Sequence, residues 1–239
     1  MGKVILSCSG NGGTGKTTFA VNISVAAAKQ GLKVLLLDIN MGRRNADIYL
    51  GMEDRILFDL GDVVSGLCRL DKAIIKHDLC PGLSLLSCPQ YREIEGMGPG
   101  HVSALYKTLR ERFDLIVVDC PVSVTGLLRI FASGADAALM LTVPDYSSVR
   151  NTEALCEKLE ELGVEERYYA INRIDRQYSD SDNVPGINFI ARSINAPLVG
   201  MVSEDPAIHI SNNSGIPAAL ADGSDMARRF EDIAARITD

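Results

Sequence analysis

The chain alternates between short apolar runs and longer stretches whose apolar residues recur at helical spacing. Val4-Ile5-Leu6 is the first run, and Phe19 to Lys29, rich in Ala, is the first helical pattern. Further runs lie at Lys33 to Leu37, Leu83 to Leu86, Leu115 to Val118, Ala137 to Val143, Tyr168 to Ile171 and Leu198 to Val202. They are apolar throughout rather than alternating, the mark of strands buried on both faces. Helices are predicted over 102–112, 126–133, 147–162, 186–194 and 224–237. Strand–helix alternation of this kind predicts an α/β fold: a doubly wound, mostly parallel sheet flanked by helices. The 239 residues are expected to form one domain over 1–239. No repeat, low-complexity tract or linker divides them. The most irregular loop, Tyr178 to Gly186 with Asp180 and Asp182, reads as a solvated turn rather than a calcium loop.

Composition narrows the class. An apolar content of 46% excludes disorder, and 21 Gly with 9 Pro exclude a collagen-like chain. With 24 basic against 31 acidic residues, the net charge of −7 disfavours nucleic acid as a partner. The six cysteines, at 8, 68, 80, 88, 120 and 156, form no CxxC pair and lie at no zinc-finger spacing from a histidine. They read as buried reduced thiols, which points to the cytoplasm. No run reaches the ~18 apolar residues of a membrane span, and no secretory signal opens the chain.

The sharpest signal is Gly10-Asn11-Gly12-Gly13-Thr14-Gly15-Lys16-Thr17-Thr18, a complete G-x-x-x-x-G-K-[ST] loop between the first strand and the first helix. Its glycines let backbone N–H groups turn toward phosphate oxygens, and the helix N-terminus adds partial positive charge. Lys16 reaches the β- and γ-phosphates, and the Thr17 hydroxyl is a ligand for Mg²⁺. Two carboxylates end buried strands: Asp38 after Val34 to Leu37, and Asp119 after Leu115 to Val118. Strand ends of this kind face the ligand crevice of α/β sheets. Asp119 is expected to hold Mg²⁺ through water, with Asp38 beside it. The fold is thus of P-loop NTPase type, with ATP or ADP and Mg²⁺ as cofactors.

The chain resembles the MinD cell-division ATPases, in the ParA/MinD branch of P-loop proteins, over nearly its whole length. Asp38-Ile39-Asn40-Met41-Gly42-Arg43-Arg44-Asn45-Ala46-Asp47 is similar to the family's D-x-D-x-G-x-R-N-x-D stretch. Gly51 to Arg55 and Asp59 to Gly66 resemble the family's next segments. Asp119-Cys120-Pro121 matches D-x-P, and Pro144 to Arg150 resembles P-E-x-S-x-V-R. The resemblance implies that Asn172 and Arg173 contact adenine, with Glu204 and Asp205 in the second base-contacting loop. Gly12, Gly13, Thr14, Gly15, Lys16, Thr17 and Thr18 would then hold the phosphates.

Three positions depart from the family. Its signature lysine, which reaches the partner's phosphates across an ATP-bound dimer, is here Asn11. The second Asp of D-x-D, which positions or activates the attacking water, is Asn40. The Asp after S-x-V-R is Asn151. Lys16, Asn40 and Asn11 are thus the residues on which catalysis turns, and two of them are neutral. An amide can hydrogen-bond water or phosphate, but it neither neutralises charge nor accepts a proton. ATP hydrolysis is expected to be weak or lost, and any homodimer weak. Arg43 and Arg44 are the nearest replacement cations, though both also read as a solvated loop.

The family ends in a short amphipathic helix that binds membrane. Here the last predicted helix places Met226, Phe230, Ile233, Ala234 and Ile237 on one face, with three acids against three arginines. Core packing is the expectation, and membrane binding finds no support unless a further tail exists. His77, His101 and His209 are expected to be structural or surface residues. The acidic positions Glu157, Glu160, Glu161, Glu165 and Glu166 read as a solvated face. The resemblance implies a nucleotide-dependent switch in division-site placement or cell positioning, working with partner proteins of that system. The alternatives are a non-hydrolysing nucleotide-bound scaffold and a flagellar or pilus-placement regulator.

Overall fold

The computed structural model describes residues 1–94, 96–122, 126–175 and 183–238. Most of the 178–186 loop, with Asp180 and Asp182, lies outside the described residues. In chain order the elements are β1 (Lys3–Cys8), α1 (Lys16–Lys29), β2 (Val34–Asp38), α2 (Ala46–Tyr49), α3 (Leu60–Val64), α4 (Leu70–Ala73) and β3 (Ile75–Lys76). Next come β4 (Leu83–Ser87), α5 (Pro99–Arg110), β5 (Leu115–Asp119), α6 (Gly126–Ala132), β6 (Ala137–Thr142) and α7 (Tyr146–Glu161). The last are β7 (Glu166–Ile174), α8 (Ile187–Ser193), β8 (Leu198–Ser203), α9 (Pro206–Ser214) and α10 (Asp225–Thr238). Short 3₁₀ turns lie at Glu53–Arg55 and Ala218–Leu220.

One eight-stranded sheet runs in the order β3-β4-β2-β5-β1-β6-β7-β8. Every pairing is parallel except the short β3–β4 pair. Successive residues of each central strand feed opposite cores, which is why the runs are apolar throughout. Val4, Leu6 and Cys8 join one core with Tyr106, Phe131 and Leu159 from α5, α6 and α7. Ile5, Leu36 and Val117 join the other with Phe19 of α1 and Phe230 of α10. The expected doubly wound α/β sheet is therefore the observed one. Among the described residues, no helix is long and apolar enough to cross a membrane.

The predicted final helix packs as expected, with Phe230, Ile233, Ala234 and Ile237 buried. The six cysteines are free, five of them buried. His77 is a buried structural histidine, its Nε2 3.2 Å from the Leu50 carbonyl, while among the described residues none bonds its Nδ1. His101 accepts the Gly98 N–H at the start of α5, at 3.3 Å. The acidic face is paired at the surface, with Glu160 on Arg167 at 3.2 Å and Glu166 on Lys3 at 2.9 Å.

The joint between α1 and α10 rests on Phe19 and Phe230, both buried, whose rings meet edge to face at 5.2 Å. Phe230→Ala should cost about 3–5 kcal/mol, as expected for a large buried aromatic. Urea unfolding measures this; a loss below about 1 kcal/mol would mean that α10 contributes little to the core.

Candidate functional site

The Gly-rich loop spans residues 9–15 at the C-terminal end of β1. That strand is the point where the sheet order reverses, with β5 on one side and β6 on the other. Crevices outside such a reversal are where open α/β sheets bind ligands. Helix α1 begins at Lys16, three residues before the apolar pattern, because the loop's own last residues form its first turn. No side chain caps that turn, so its N–H groups remain available to an anion.

The loop is held by its carbonyls. Asn172 on β7, buried, donates from Nδ2 to the Thr14 carbonyl at 2.8 Å. Gly15 allows this approach: its φ is 95°, and a Cβ there would lie 2.4 Å from Asn172 Nδ2. Ser9 Oγ donates to the Asn11 carbonyl at 2.5 Å. Lys16 Nζ donates to Ser9 Oγ at 3.1 Å. Burial holds the Lys16 ammonium below its ordinary pKa, opposed by the nearby Asp119 charge.

Asp38 and Asp119 are register partners on adjacent strands, and both are fully buried. The Asp38 oxygens accept backbone N–H groups from Asn40 at 2.8 Å and Ala46 at 3.3 Å. Asp38 thereby anchors the loop after β2. Asp119 accepts Thr17 Oγ1 on Oδ2 at 2.6 Å, while its buried Oδ1 has no partner among the described residues. A threonine hydroxyl beside an unpartnered buried carboxylate oxygen is a fitting donor set for a hard cation such as Mg²⁺. Burial pushes Asp119 well above the usual carboxylate range, and the neighbouring Asp38 charge adds to this. Burial likewise raises Asp38 to about 6, against the lowering effect of the backbone donors of Asn40, Ala46 and Asn45.

Two adjoining cavities surround this loop. One of 580 Å³ lies between Lys16, Thr17, Asn40, Arg43 and Tyr49. The other, of 190 Å³, lies between Phe19, Asn172, Glu204, Asp205 and Phe230. Arg173 borders both and pairs with Glu204 at 3.6 Å. Its φ of 55° makes it the only described residue other than glycine in the left-handed region, a strain typical of functional loops. Asp205 caps α9, accepting the Ala207 N–H at 2.8 Å. A larger cavity of 940 Å³ opens on the far side of the loop, lined by Val143, Pro144, Ile171, Val184 and Ile187 among others. Its apolar wall and its position away from Lys16 and Thr17 make it a poor place for phosphates.

The match to known proteins agrees with this geometry. The family model described as the CobQ/CobB/MinD/ParA nucleotide binding domain matches residues 5–218. The septum site-determining protein MinD of Synechocystis sp. is 32% identical over 99% of this chain and 90% of its own length. That of Bacillus subtilis is 32% identical over 99% and 89%. The chain belongs to the MinD/ParA family. Among solved structures, the MinC:MinD complex of Aquifex aeolicus superposes with a TM-score of 0.89 at 31% identity, covering 98% of this chain and 95% of that one. MinD of Pyrococcus horikoshii, solved with Mg-ADP, gives 0.87 at 28%, covering 99% and 96%.

Against that MinD-type background the three asparagines take on definite positions. Asn151, on α7, donates from Nδ2 to Asn11 Oδ1 at 2.8 Å, so two of the departures touch. A Cβ on Gly10 would lie 2.5 Å from the Asn151 carbonyl oxygen, so α7 sits hard against the loop. Asn40 borders the 580 Å³ cavity beside Lys16. The two arginines separate. Arg44 is committed to Asp47, Nε to Oδ2 at 2.7 Å, with little exposure. Arg43 is exposed and borders the cavity of Lys16. Tyr49, His209 and Asn212 also border that cavity, and nothing in their sequence context marks them. His209 is exposed, as expected of a surface residue, and α9 carries it to the rim of that cavity.

The raised Asp38 fixes a pH dependence. In the unfolded chain its carboxyl releases its proton near 3.8; in the nucleotide-free fold it does so near 6. Its contribution to stability is full below about 4 and is lost as pH rises through about 6. Urea unfolding at pH 4.5 and 6.5 should show the wild type losing stability relative to Asp38→Asn by on the order of 2 kcal/mol. A flat difference would place Asp38 in a solvated setting.

Proposed function

We propose that this chain binds Mg·ATP or Mg·ADP and works as a nucleotide-dependent switch in division-site placement or cell positioning, with weak or lost hydrolysis. The observation that carries this reading is the Asn151–Asn11 hydrogen bond beside an otherwise complete phosphate loop. Backbone N–H groups of Gly12 to Thr18 and the Lys16 ammonium bind the β- and γ-phosphates. Thr17 and Asp119 hold Mg²⁺, and Asp38 orders the segment around Asn40. Mg²⁺ neutralises the phosphates and the buried carboxylate pair. Asn172, Arg173, Glu204 and Asp205 surround the base.

The chemistry of the departures sets the rate. Asn11 supplies no charge to a γ-phosphate, and Asn40 hydrogen-bonds a water without taking its proton. Loss of an arginine-finger type of cation lowers turnover by about 10³–10⁵. Of the two replacement arginines, Arg43 is the one left at the cavity, and it supports whatever hydrolysis remains. The amide pair also removes a charged contact from any ATP-bound dimer. One charge-assisted hydrogen bond contributes about 1.5–3 kcal/mol, roughly 10–100-fold in dimer affinity. Solved relatives support both partner classes: the Pyrococcus horikoshii protein was captured with Mg-ADP and the Aquifex aeolicus protein with MinC. The partner of this chain is accordingly a protein of the division or positioning system. A scaffold that uses nucleotide only as a structural ligand is the second reading, favoured by the same neutral pair.

Calorimetry should show Mg·ADP binding to the wild type and its near-complete loss in Lys16→Ala. Equal affinities would overturn the loop assignment. Steady-state ATP turnover should be slow or undetectable, and Arg43→Ala should lower any residual rate; turnover that survives replacement of both Arg43 and Arg44 points to another cation.

Sedimentation with a non-hydrolysable ATP analogue should find a monomer or a weak dimer in the wild type. Asn11→Lys with Asn151→Asp and Asn40→Asp should dimerise more tightly than Asn11→Lys alone. A tight, analogue-dependent wild-type dimer would show that the amide pair leaves the switch intact.

A further inference from the structure

The two nucleotide cavities meet along a short seam. Gly15, Thr18, Arg173, His209 and Asn212 border both of them. A nucleotide with its phosphates at Lys16 and its base near Asn172 has its sugar at this seam, because the sugar joins the two ends. Gly15 has no side chain to offer. Arg173 pairs with Glu204 at 3.6 Å. Thr18 Oγ1 accepts Asn212 Nδ2 at 3.1 Å. That bond ties the seam face of α9 to the first turn of α1.

His209 lies three residues before Asn212, on the same face of α9. The helix is fixed in place on several sides. Asp205 caps its start, with Pro206 in its first turn. Ser211 Oγ donates to the Ile216 carbonyl at 2.6 Å. Gly215 packs on Gly51, where a Cβ would lie 2.7 Å from the Gly51 Cα. On this fixed helix the His209 side chain is exposed, and among the described residues none hydrogen-bonds its ring. An imidazole presents a donor in either protonation state. Its ring therefore has a donor free to meet a sugar hydroxyl, and it shares the seam with the Arg173 guanidinium, which is paired with Glu204 only through Nε.

We infer that His209 hydrogen-bonds a ribose hydroxyl and makes the site selective for ribonucleotides over deoxyribonucleotides, on a face of α9 that the Asn212–Thr18 bond holds against α1. This rests on the nucleotide-binding reading above. A site built to bond a hydroxyl rejects the analogue that lacks it, because a polar group loses its partner. For one neutral hydrogen bond at a partly open seam, the expected discrimination is about 2–10-fold.

The test is calorimetric titration of the full chain with ADP, 2′-deoxy-ADP and 3′-deoxy-ADP, each with Mg²⁺, for the wild type and His209→Ala. The wild type should bind ADP about 2–10-fold tighter than at least one deoxy analogue. In His209→Ala the ADP affinity should fall to that of the analogue, and the ratio should collapse to about one. Because His209 is exposed and alanine favours helix, the nucleotide-free thermal midpoint should stay unchanged. Equal binding of all three by the wild type, or an unchanged ratio in the variant, overturns the role of His209 while leaving nucleotide binding intact. If the wild type binds none of the three, the nucleotide reading fails and this inference with it.

Discussion

A loop that offers its N–H groups to a ligand must be held by something other than those groups. Here the hold is the amide of Asn172, which takes the Thr14 carbonyl from across the sheet at 2.8 Å. Ser9 takes the Asn11 carbonyl in the same way. Both donors act on carbonyls of the loop and occupy none of its N–H groups. A neutral hydrogen bond nets about 1 kcal/mol, but losing a buried one strands its partner at about 1–3 kcal/mol. Asn172 therefore shapes the loop, the start of α1 and the wall of the 190 Å³ cavity together. Gly15 is the condition for this, since a side chain there would displace the amide.

Beneath the loop, two buried carboxylates stand side by side, one of them with an oxygen unpartnered. Burial opposes their charge, and Lys16 and the N–H groups of Asn40 and Ala46 offset it only in part. Such a pair is poised for a cation. A ligand that brings a divalent metal relieves the desolvation and stabilises the fold by mass action. Asp38 also ties this charge balance to the loop carrying Asn40 and Arg43, so the electrostatics of the carboxylate pair and the shape of the 580 Å³ cavity's wall are linked.

The seam at Asn11 obeys a different logic. Two neutral amides satisfy one another at 2.8 Å and leave no buried charge waiting for a partner chain. A lysine and an aspartate at those positions would carry charge that a second subunit or a phosphate could exploit. The amides keep the geometry of contact between α7 and the loop while removing its response to charge. Arg44 is spent on Asp47, which leaves Arg43 as the arginine of this segment that faces the cavity.

The sequence alone was enough to read the sheet and to mark the Gly-rich loop. Strands buried on both faces are apolar almost throughout, so β1, β2, β4, β5 and β6 show as apolar runs, and β8, at the sheet edge with Met201 exposed, shows through its Leu198-Val199 and Val202. The loop is legible because its chemistry is contiguous: glycines, Lys16 and Thr17 act within one turn of chain, and Asp38 and Asp119 sit where apolar runs end. The short elements α2, α3, α4 and β3 escaped notice because segments of two to five residues carry no period and are stable only through their packing. Helix α9 escaped for a related reason: its nine residues are mostly small or polar, and only the Asp205-Pro206 start marks it. Tertiary structure alone decided the pairings between distant residues. Asn11 and Asn151 stand 140 positions apart, and Asn212 and Thr18 stand 194 apart. The split between Arg43 and Arg44, and the placing of His209 beside Thr18, depend on which way a helix turns over the sheet. A side chain's type is written in the chain, but its neighbours are set by how the layers close.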